Sequence, residues 1–385
     1  MREYVDVGAL VDATRQLVQI DTQNPPGNEA KAIGAARGLL EPLGATFSEI
    51  EVEDGRTSLL ATLDPVDPDR PTLIVNGHLD VVPVEPSGWS RDPFAGEIDD
   101  GRMWGRGTAD MKGGIAAAIE GVHAVRRAGR EPAVNLEFHL VADEERGGAL
   151  GAKVLTANGY VRGDACLVPE PTNMAVGIGE RGILVARITV QGKPAHASEP
   201  SNGVSAVEKA AKIVLALHGA DFGDAPHRFL GKPTCNAGTI AGGSGHNTVA
   251  EECEVVIDRR LLPGATEDGA VAELRERIDA IGDPDLRYSF DVTLFGEASE
   301  LDPEHWLARQ VRQSIAEVLG EDAAVIGMPF TTDARFVRNQ AGVPTVVCGP
   351  GDVAQAHGFD EFVSIDRLID AAAVYAHLYT TNLRQ

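Results

Sequence analysis

The chain has 385 residues and a formal net charge of −24, from 58 acidic and 34 basic side chains. Its length exceeds the usual size of a single domain, so two hydrophobic cores are expected. The negative charge repels phosphate backbones and anionic membrane surfaces, which argues against nucleic acid and membrane partners. Hydrophobic residues make up 43% of the chain and charged ones 24%, a balance typical of a folded globular protein.

The cysteines and the N-terminal segment indicate the compartment. The cysteines lie far apart and form no C-x-x-C pair, which predicts reduced, mostly buried thiols at Cys166, Cys235, Cys253 and Cys348. Residues 1–20 carry acidic side chains within their apolar pattern, unlike a signal peptide, and no segment reaches membrane-spanning length. We therefore expect a cytoplasmic protein.

The first part of the chain alternates between helix and strand patterns. In chain order the predicted elements are helices at 9–20 and 28–42, strands at 58–63 and 72–77, a helix at 111–125 and a buried strand at 134–142. This order predicts an α/β domain with helices over a mostly parallel sheet. A strand at 344–348 and a helix at 365–380 return to the same pattern and complete that domain.

A different order of elements begins at residue 183. The predicted elements are a strand (183–191), a helix (203–218), two strands (234–241 and 251–262), a helix (267–281) and a strand (286–295). This is the β-α-β-β-α-β order of a ferredoxin-like α+β domain. Because its first and last strands lie side by side, such a domain can be inserted without separating its host. We expect residues 183–295 to be inserted into a host formed by 1–182 and 296–385.

Two candidate site residues lie where the strand 72–77 ends. His78 ends this strand, and the alternation of extended backbone points Asp80 to the same side. A metal-bound imidazole usually donates its other N–H to a carboxylate, so His78 is predicted as a metal ligand and Asp80 as its partner. The alternative is a capped strand end with a solvated Asp80.

Carboxylates follow at two further positions. Asp110 ends the loop GRGTAD before a helix, where helix capping alone would explain it. The loop also brings this carboxylate near strand ends, the usual place for sites in open α/β sheets. Strand 134–142 runs into Asp143, Glu144 and Glu145, which repel one another unless water or a cation relieves the repulsion. Solvation is one explanation; the other is that one glutamate faces a metal and its neighbour faces the metal's water.

The remaining candidates are Glu170, between two prolines in LVPEPT (167–172), and His357, in the loop segment AQAHGFDE (354–361). Two histidines and three carboxylates at strand ends then form a mixed nitrogen and oxygen donor set. Such a set suits a pair of zinc or similar divalent ions bridged by one carboxylate.

The blocks HLD, GRGTADMKGG, ADEE, PEPT and the C-terminal AH resemble, in order and spacing, the zinc-dependent family of acetylornithine deacetylase, succinyl-diaminopimelate desuccinylase, aminoacylase and glutamate carboxypeptidase. The resemblance runs from NPPGNE at 24–29 to His357. It implies that Asp110 bridges two zinc ions, for which cobalt or manganese are alternatives. His78 and Glu170 would bind one ion, and Glu145 and His357 the other. A hydroxide shared by the ions would attack the amide, with Glu144 as general base.

The same resemblance implies that 183–295 is a lid and dimerisation domain, and hence a homodimer. His196 in GKPAHASEP would reach from a partner subunit's lid to the substrate carbonyl oxygen; the alternative is an ordinary surface histidine. Arg259 and Arg260 are neighbours on a strand and face opposite sides, so only one can hold the substrate carboxylate. The substrate-binding residues implied by resemblance are Arg181, Asn247, Arg259, Thr332 and Asp333.

The predicted function is removal of a small acyl group from an N-acyl amino acid in amino-acid metabolism, as in acetylornithine deacetylase. Glu180 stands where desuccinylases carry a basic residue, so desuccinylation, or carboxypeptidase or dipeptidase activity, comes second. A binding protein without catalysis is a further alternative, against which the complete ligand set argues. GIGERG (177–182) matches a dinucleotide fingerprint, but a strand pattern follows it instead of the required helix.

Overall fold

The structure is a computed structural model that describes residues 1–64 and 66–383. Its helices, in chain order, are α1 (Val7–Val18), α2 (Ala30–Leu40), α3 (Lys112–Arg127), α4 (Ala152–Ala157), α5 (Ala206–Leu217), α6 (Glu267–Asp279), α7 (Trp306–Leu319), α8 (Ala334–Asn339) and α9 (Ile365–Tyr379). Its strands are β1 (Ala45–Glu53), β2 (Arg56–Leu63), β3 (Thr72–His78), β4 (Glu97–Asp99), β5 (Arg102–Trp104), β6 (Asn135–Val141), β7 (Ala165–Val168), β8 (Val176–Glu180), β9 (Gly182–Gln191), β10 (Thr234–Gly242), β11 (Glu252–Leu261), β12 (Arg287–Gly296), β13 (Ser299–Glu300), β14 (Val325–Met328), β15 (Thr345–Val347) and β16 (Phe362–Ser364).

The chain divides into two compact units. The first unit comprises Met1–Ile178, Leu301–Ile326 and Thr332–Gln385, and the second comprises Gly179–Glu300 and Gly327–Thr331. The second unit therefore extends a few residues beyond the expected insertion at 183–295 on both sides. It also includes a short later segment, residues 327–331, which the sequence analysis did not assign to this unit.

The main sheet of the first unit has the strand order β1-β2-β6-β3-β7-β15-β8. Its central strands are parallel, since β3 pairs in parallel with β6 and β7, and β15 with β7. On either side of these parallel strands the pairing is antiparallel, between β1 and β2, β2 and β6, and β15 and β8. All residues of β7 and all but the first of β3 are buried, as expected for strands covered by helices on both faces. The predicted mixed, mostly parallel sheet is confirmed.

Helices α3 and α9 pack closely within the first unit. The sequence of α3 is rich in glycine and alanine, and nearly all of its residues are buried. Small side chains let the two helices approach, and the Tyr379 hydroxyl of α9 donates a hydrogen bond to the Ala118 carbonyl oxygen at 3.1 Å. A Cβ on Gly121 would lie 3.1–3.2 Å from α9 atoms. This packing holds the middle of α3, whose first residue, Lys112, lies two residues after Asp110.

The second unit has an antiparallel sheet of order β10-β11-β9-β12. Apolar residues alternate along β9 and β11, and their buried members form a core with α5 and α6. Ser205 and Thr266 cap the two helices, because their side chains accept hydrogen bonds from the Glu208 and Gly269 N–H groups. First and last strands, β9 and β12, are neighbours. The predicted ferredoxin-like α+β arrangement is confirmed.

Several elements were not predicted, among them β1, α4, α7 and α8. Strand β1 (ATFSEIEVE) is a mostly exposed edge strand rich in acidic residues, so it lacks the apolar signal of a buried strand. All four cysteines are buried and free, as predicted. Within residues 1–64 and 66–383, no helix has both the length and the apolar character needed to cross a membrane.

Candidate metal centre

The candidate ligands lie at the carboxyl ends of neighbouring parallel strands of the first unit. His78 is the last residue of β3, and Glu145 follows β6 after a short turn. Glu170 lies two residues beyond β7, and His357 lies in the loop after β15. Since these strands are parallel and adjacent, their ends meet at one edge of the sheet, where open α/β sheets hold their ligands.

Asp110 reaches the same edge from the loop before α3. The N-cap of α3 is Met111, with no side-chain cap, so the helix-capping explanation of Asp110 is wrong. The Glu361 carboxylate instead holds this segment by accepting the N–H groups of Ala109 (2.9 Å) and Asp110 (3.1 Å). A Cβ on Gly114 would lie 2.2 Å from the Pro169 oxygen, so only glycine allows α3 to start against the turn that carries Glu170.

The first ligand group consists of His78, Asp110 and Glu170. One ligand atom of each lies within 4.8 Å of the others. The His78 Nε2 atom is 3.0 Å from Asp110 Oδ1 and 3.6 Å from Glu170 Oε1. All three side chains are almost inaccessible to water. One cation could be held by one imidazole nitrogen and two carboxylate oxygens in this group.

The second ligand group consists of Asp110, Glu145 and His357, again within 4.8 Å. The His357 Nε2 atom is 3.0 Å from Glu145 Oε2 and 3.5 Å from Asp110 Oδ2. Asp110 thus offers one oxygen to each group. The buried Glu145 Oε1 atom has no hydrogen-bond partner within residues 1–64 and 66–383. A buried acceptor without a donor is costly, and a cation would satisfy it, so the residues present fit a pair of divalent ions.

The charges of the centre are strongly coupled. Burial raises the pKa of Glu144 and of Glu170 well above the usual range, and the charge of Asp110 raises both further. Burial alone would lower the pKa of His78, but its hydrogen bond to Asp110 and the charges of Glu170 and Glu144 raise it well above its usual value. Asp110 shifts in the opposite direction: its hydrogen bonds to His357 and His78 outweigh burial and lower its pKa. Positive charge placed among these carboxylates would favour their ionised forms.

His357 differs from the other candidate ligands in its exposure. Its side chain is 57% exposed, whereas that of His78 is 1% exposed. Hydrogen bonds to Asp110 and Glu145 raise the pKa of His357 to about 10. Its backbone is left-handed, with φ of 61°, a conformation that is uncommon outside glycine. The second ligand group is therefore more open to water than the first and rests on a less regular segment.

Asp80 has a different set of partners from the one expected. His78 Nδ1 lies 2.9 Å from the backbone oxygen of Asp80 and 3.6 Å from its carboxylate. The carboxylate instead accepts the N–H groups of Glu144 and Glu145, each at 3.2 Å, and the Asn24 amide at 2.9 Å. Burial raises the pKa of Asp80 to about 7. Asp80 thus fixes the turn that carries the two glutamates.

A buried network behind Asp80 was missed by the sequence analysis. Arg56 donates to both oxygens of Glu29 and to Asp143 Oδ1, each at 2.8 Å. Asn24 joins Asp143 to Asp80. The only signal in the sequence was NPPGNE, which contains Asn24 and Glu29; nothing marked Arg56, which begins β2.

Glu144 lies beside the first ligand group but outside both groups of three. Its Oε2 atom is 4.0 Å from His78 Nε2, and its side chain is 10% exposed. The charge of Asp333, a predicted substrate-binding residue, contributes to its raised pKa. Thr332 and Asp333 are both buried and precede α8. Arg335, which the sequence analysis did not single out, donates to the Thr332 and Gly147 oxygens and so joins this segment to the turn after Glu145.

The other substrate-binding predictions fall in the second unit. His196 is exposed, and its Nδ1 atom lies 2.7 Å from the Ser198 hydroxyl. The backbone oxygen of Asn247 accepts the Ala197 N–H at 3.0 Å, so the segments of His196 and Asn247 lie side by side.

The two neighbouring arginines of β11 face opposite sides, as expected. Arg259 is buried: its Nη2 donates to Glu273 at 2.8 Å, and its guanidinium lies 3.4 Å from the Phe222 ring centre. Arg260 lies on the more accessible face, where it pairs with Asp258. Burial and the charge of Arg260 lower the pKa of Arg181. Arg260 is therefore the more accessible of the two arginines.

The fold and the two linked ligand groups define a metallohydrolase of the amidohydrolase and peptidase class. Residues 74–381 match the peptidase family M20/M25/M40, and the chain belongs to this family. Acetylornithine deacetylase from Aliivibrio salmonicida is 30% identical over 384 residues, covering 95% of this chain and 96% of that protein. N-formyl-4-amino-5-aminomethyl-2-methylpyrimidine deformylase from Bacillus subtilis is 30% identical over 393 residues, covering 94% and 91%.

An M20 family metallo-carboxypeptidase from Sulfolobus solfataricus has the same fold. Its TM-score is 0.82 at 18% identity, over 96% of this chain and 98% of that chain. Together with the family match, this fold agrees with a metal-dependent enzyme that hydrolyses amide or peptide bonds. The donor groups described above suit divalent metal ions.

Proposed function

We propose that the protein hydrolyses the amide bond of an N-acyl amino acid, with acetylornithine deacetylase as the nearest activity and two zinc ions as cofactor. The observation that carries the proposal is the position of Asp110, whose two oxygens face two separate histidine and carboxylate groups. A single carboxylate shared in this way suits a two-metal hydrolase. Cobalt or manganese are the alternative ions.

Each ion would have one histidine and two carboxylates as protein ligands. His78, Glu170 and Asp110 would hold one ion, and Glu145, His357 and Asp110 the other. When bound, such ions lower the pKa of a water molecule and polarise the carbonyl of the amide. The high proportion of carboxylates favours hard or borderline divalent ions over soft ones.

Glu144 is proposed as the general base. It is near His78 but belongs to neither ligand group, so its carboxylate stays available for proton transfer. Asp80 fixes its backbone N–H, which limits the positions that the side chain can reach. Glu144 takes a proton from the attacking water and later passes it to the nitrogen of the leaving amine.

The second unit is proposed as the lid and dimerisation domain of a homodimer. His196, supplied by a partner subunit, would donate a hydrogen bond to the oxyanion that forms from the substrate carbonyl. Asn247, Arg260 and Arg181 would bind the substrate carboxylate, because a guanidinium group attracts a carboxylate and can bind it bidentately. Thr332 and Asp333 would line the acyl pocket from the first unit.

A substrate panel tests the proposed activity. The panel contains N-acetyl-ornithine, other N-acetyl and N-succinyl amino acids, and dipeptides, each assayed for amine release with zinc, cobalt or manganese. We expect the fastest release from N-acetyl amino acids. Glu144→Gln should keep its zinc and lose at least ~100-fold in kcat, the usual contribution of a general base. A zinc-loaded wild-type enzyme that cleaves no member of the panel would refute the proposal.

Deformylation is a second candidate, supported by the equal similarity to the Bacillus subtilis deformylase. The bond cleaved is again an amide, so the same centre would serve. N-formyl amino acids and an N-formyl aminomethylpyrimidine therefore belong in the panel. The formyl pyrimidine has no carboxylate. If it is cleaved faster than every N-acyl amino acid, both the first candidate function and the proposed carboxylate-binding role of Arg260 and Arg181 are refuted.

A further inference from the structure

The ligand His357 lies on a segment that has little structure of its own. No helix or strand lies between the end of β15 and the start of β16, a stretch wholly inside the described residues. Between Asp352 and Gly358, the backbone N–H groups donate only within short turns, such as Gly358 N–H to the Gln355 oxygen at 3.4 Å. Ordering a backbone residue costs ~1–2 kcal/mol. Groups outside this segment must therefore hold His357 in place for a metal.

Two buried charged residues fix this segment: Glu361, which is its last residue, and Arg106, which lies outside it. Glu361 follows His357 by four residues and is fully buried. One of its carboxylate oxygens accepts the N–H groups of Ala109 and Asp110, and the other accepts Arg106 Nη1 at 2.6 Å. Its backbone oxygen accepts the Gly105 N–H at 2.8 Å. Glu361 thus accepts hydrogen bonds, through both its side chain and its backbone, from residues 105–110, the segment that ends at Asp110.

The other terminal nitrogen of Arg106 binds the residue that follows His357. Arg106 Nη2 donates to the Gly358 oxygen at 3.1 Å, and the guanidinium lies over the Trp89 ring at 5.2 Å from its centre. Arg106 is 3% exposed, so this position is fixed by packing. The planar guanidinium group of Arg106 therefore binds Glu361 and Gly358 at the same time, which the single ammonium group of a lysine cannot do in this geometry.

We infer that Arg106 and Glu361 act as one positioning pair that fixes His357 relative to Asp110, and so set the affinity of the second ligand group for its metal. The inference rests on the proposed two-metal site. His78 and Glu170 need no such support, because His78 ends the buried strand β3 and Glu170 lies only two residues beyond the buried strand β7. Residues that hold metal ligands from outside typically contribute ~10–100-fold in metal affinity.

The test is stepwise loss of zinc from the holoenzyme. Wild type and variants are dialysed against zinc-buffered solutions of decreasing free zinc, and zinc per chain is measured. Arg106→Lys keeps a positive charge for Glu361 but loses the bond to Gly358. We expect the fall from two ions to one to occur at ~10–100-fold higher free zinc than in the wild type. The fall from one ion to none should shift much less, because Glu361 keeps its bonds to the Ala109 and Asp110 N–H groups and only the bond to the Gly358 oxygen is lost.

Further variants show which loss of zinc belongs to which ligand group. His357→Ala defines the step that belongs to the second ligand group, and Arg106→Lys added to His357→Ala should cause no further loss, since both act on one ligand. Arg102→Lys is the matched control: Arg102 is exposed and lies over the Phe362 ring at 4.5 Å, next to Glu361 in the chain. It should leave both steps unchanged.

Glu361→Gln is the second variant, used if Arg106→Lys does not fold by circular dichroism. Its amide oxygen still accepts the two N–H groups, but its NH2 group faces the donors of Arg106. It should shift the same step. The inference is overturned if the folded variant releases both ions at wild-type concentrations, or shifts both steps equally. A wild-type enzyme that never holds two ions refutes the two-metal site itself, which is a different result.

Discussion

The buried network of Arg56, Glu29 and Asp143 makes a quantitative prediction about stability. Arg56→Met keeps much of the apolar stem but removes three hydrogen bonds to two carboxylates, each of 2.8 Å. At ~1.5 kcal/mol for a bond to a charged group, the lower end of the usual range, the loss is ~4.5 kcal/mol. Removing one partner of a buried pair typically costs ~3–5 kcal/mol, because the other charge stays buried. We therefore expect a loss of ~3–5 kcal/mol.

Urea unfolding followed by tryptophan fluorescence measures this loss where it occurs. The chain has three tryptophans, at 89, 104 and 306, and all lie in the first unit. The signal therefore reports the unfolding of the unit that contains the network. A shift of the urea midpoint without a change in slope gives the difference in unfolding free energy.

An exposed ion pair of the same residue types is the control. Arg37 and Glu49 lie 2.7 Å apart, with side chains 47% and 43% exposed, so Arg37→Met should cost at most ~1 kcal/mol. Adding Glu29→Gln to Arg56→Met should recover part of the loss, since one unpaired charge disappears. If Arg56→Met costs no more than Arg37→Met, the network does not stabilise the fold in the way described.

Three further predictions concern charge and ligand binding. Asp110→Asn should weaken both zinc steps, because it carries an oxygen for each ligand group; loss of one step alone would contradict a bridging role. Burial lowers the pKa of Lys112 to about 7, so above that pH the unfolded chain binds a proton that the folded chain does not. Lys112 should therefore contribute up to ~1.4 kcal/mol per pH unit of rise to the unfolding free energy of zinc-free protein between pH 7 and ~10, whereas His357, whose pKa is raised to about 10 in the folded chain, contributes a slope of opposite sign over the same range. Lys112→Met should make the slope of unfolding free energy against pH more negative than in the wild type, and an unchanged slope would refute the shift. Arg260→Lys should raise KM with little effect on stability, whereas Arg259→Lys should lower stability, and the reverse pattern would restore Arg259 as the ligand residue.

Local pattern predicted the elements that carry the ligands. His78 was placed at a strand end because the apolar run at 73–75 marks a short strand that stops there. Asp110 was placed before a helix by its glycine-rich loop and the apolar residues after it. The ferredoxin-like unit was predictable because its strands β9, β11 and β12 alternate and each of its two helices begins next to a capping residue.

Contacts between distant segments were not predictable. Arg56 and Asp143 are 87 residues apart, and nothing local in β2 distinguishes an arginine that pairs in the interior from one in solvent. The choice between Arg259 and Arg260 shows the same limit. Alternation along β11 predicts that they face opposite sides, but only the positions of Phe222 and Glu273 show which side is buried.

The structure also explains why adjacent glutamates can have different partners. Asp143 has a left-handed backbone, with φ of 68°, so the chain leaves β6 in a tight turn at Glu144–Arg146. The Asp80 carboxylate binds the N–H groups of Glu144 and Glu145 with one oxygen each. With both backbones fixed, Glu145 extends to His357 and Glu144 to His78. Asp80 therefore acts through the backbone of the turn that follows β6. Asp80→Ala should disturb the proposed base Glu144 and the ligand Glu145 together.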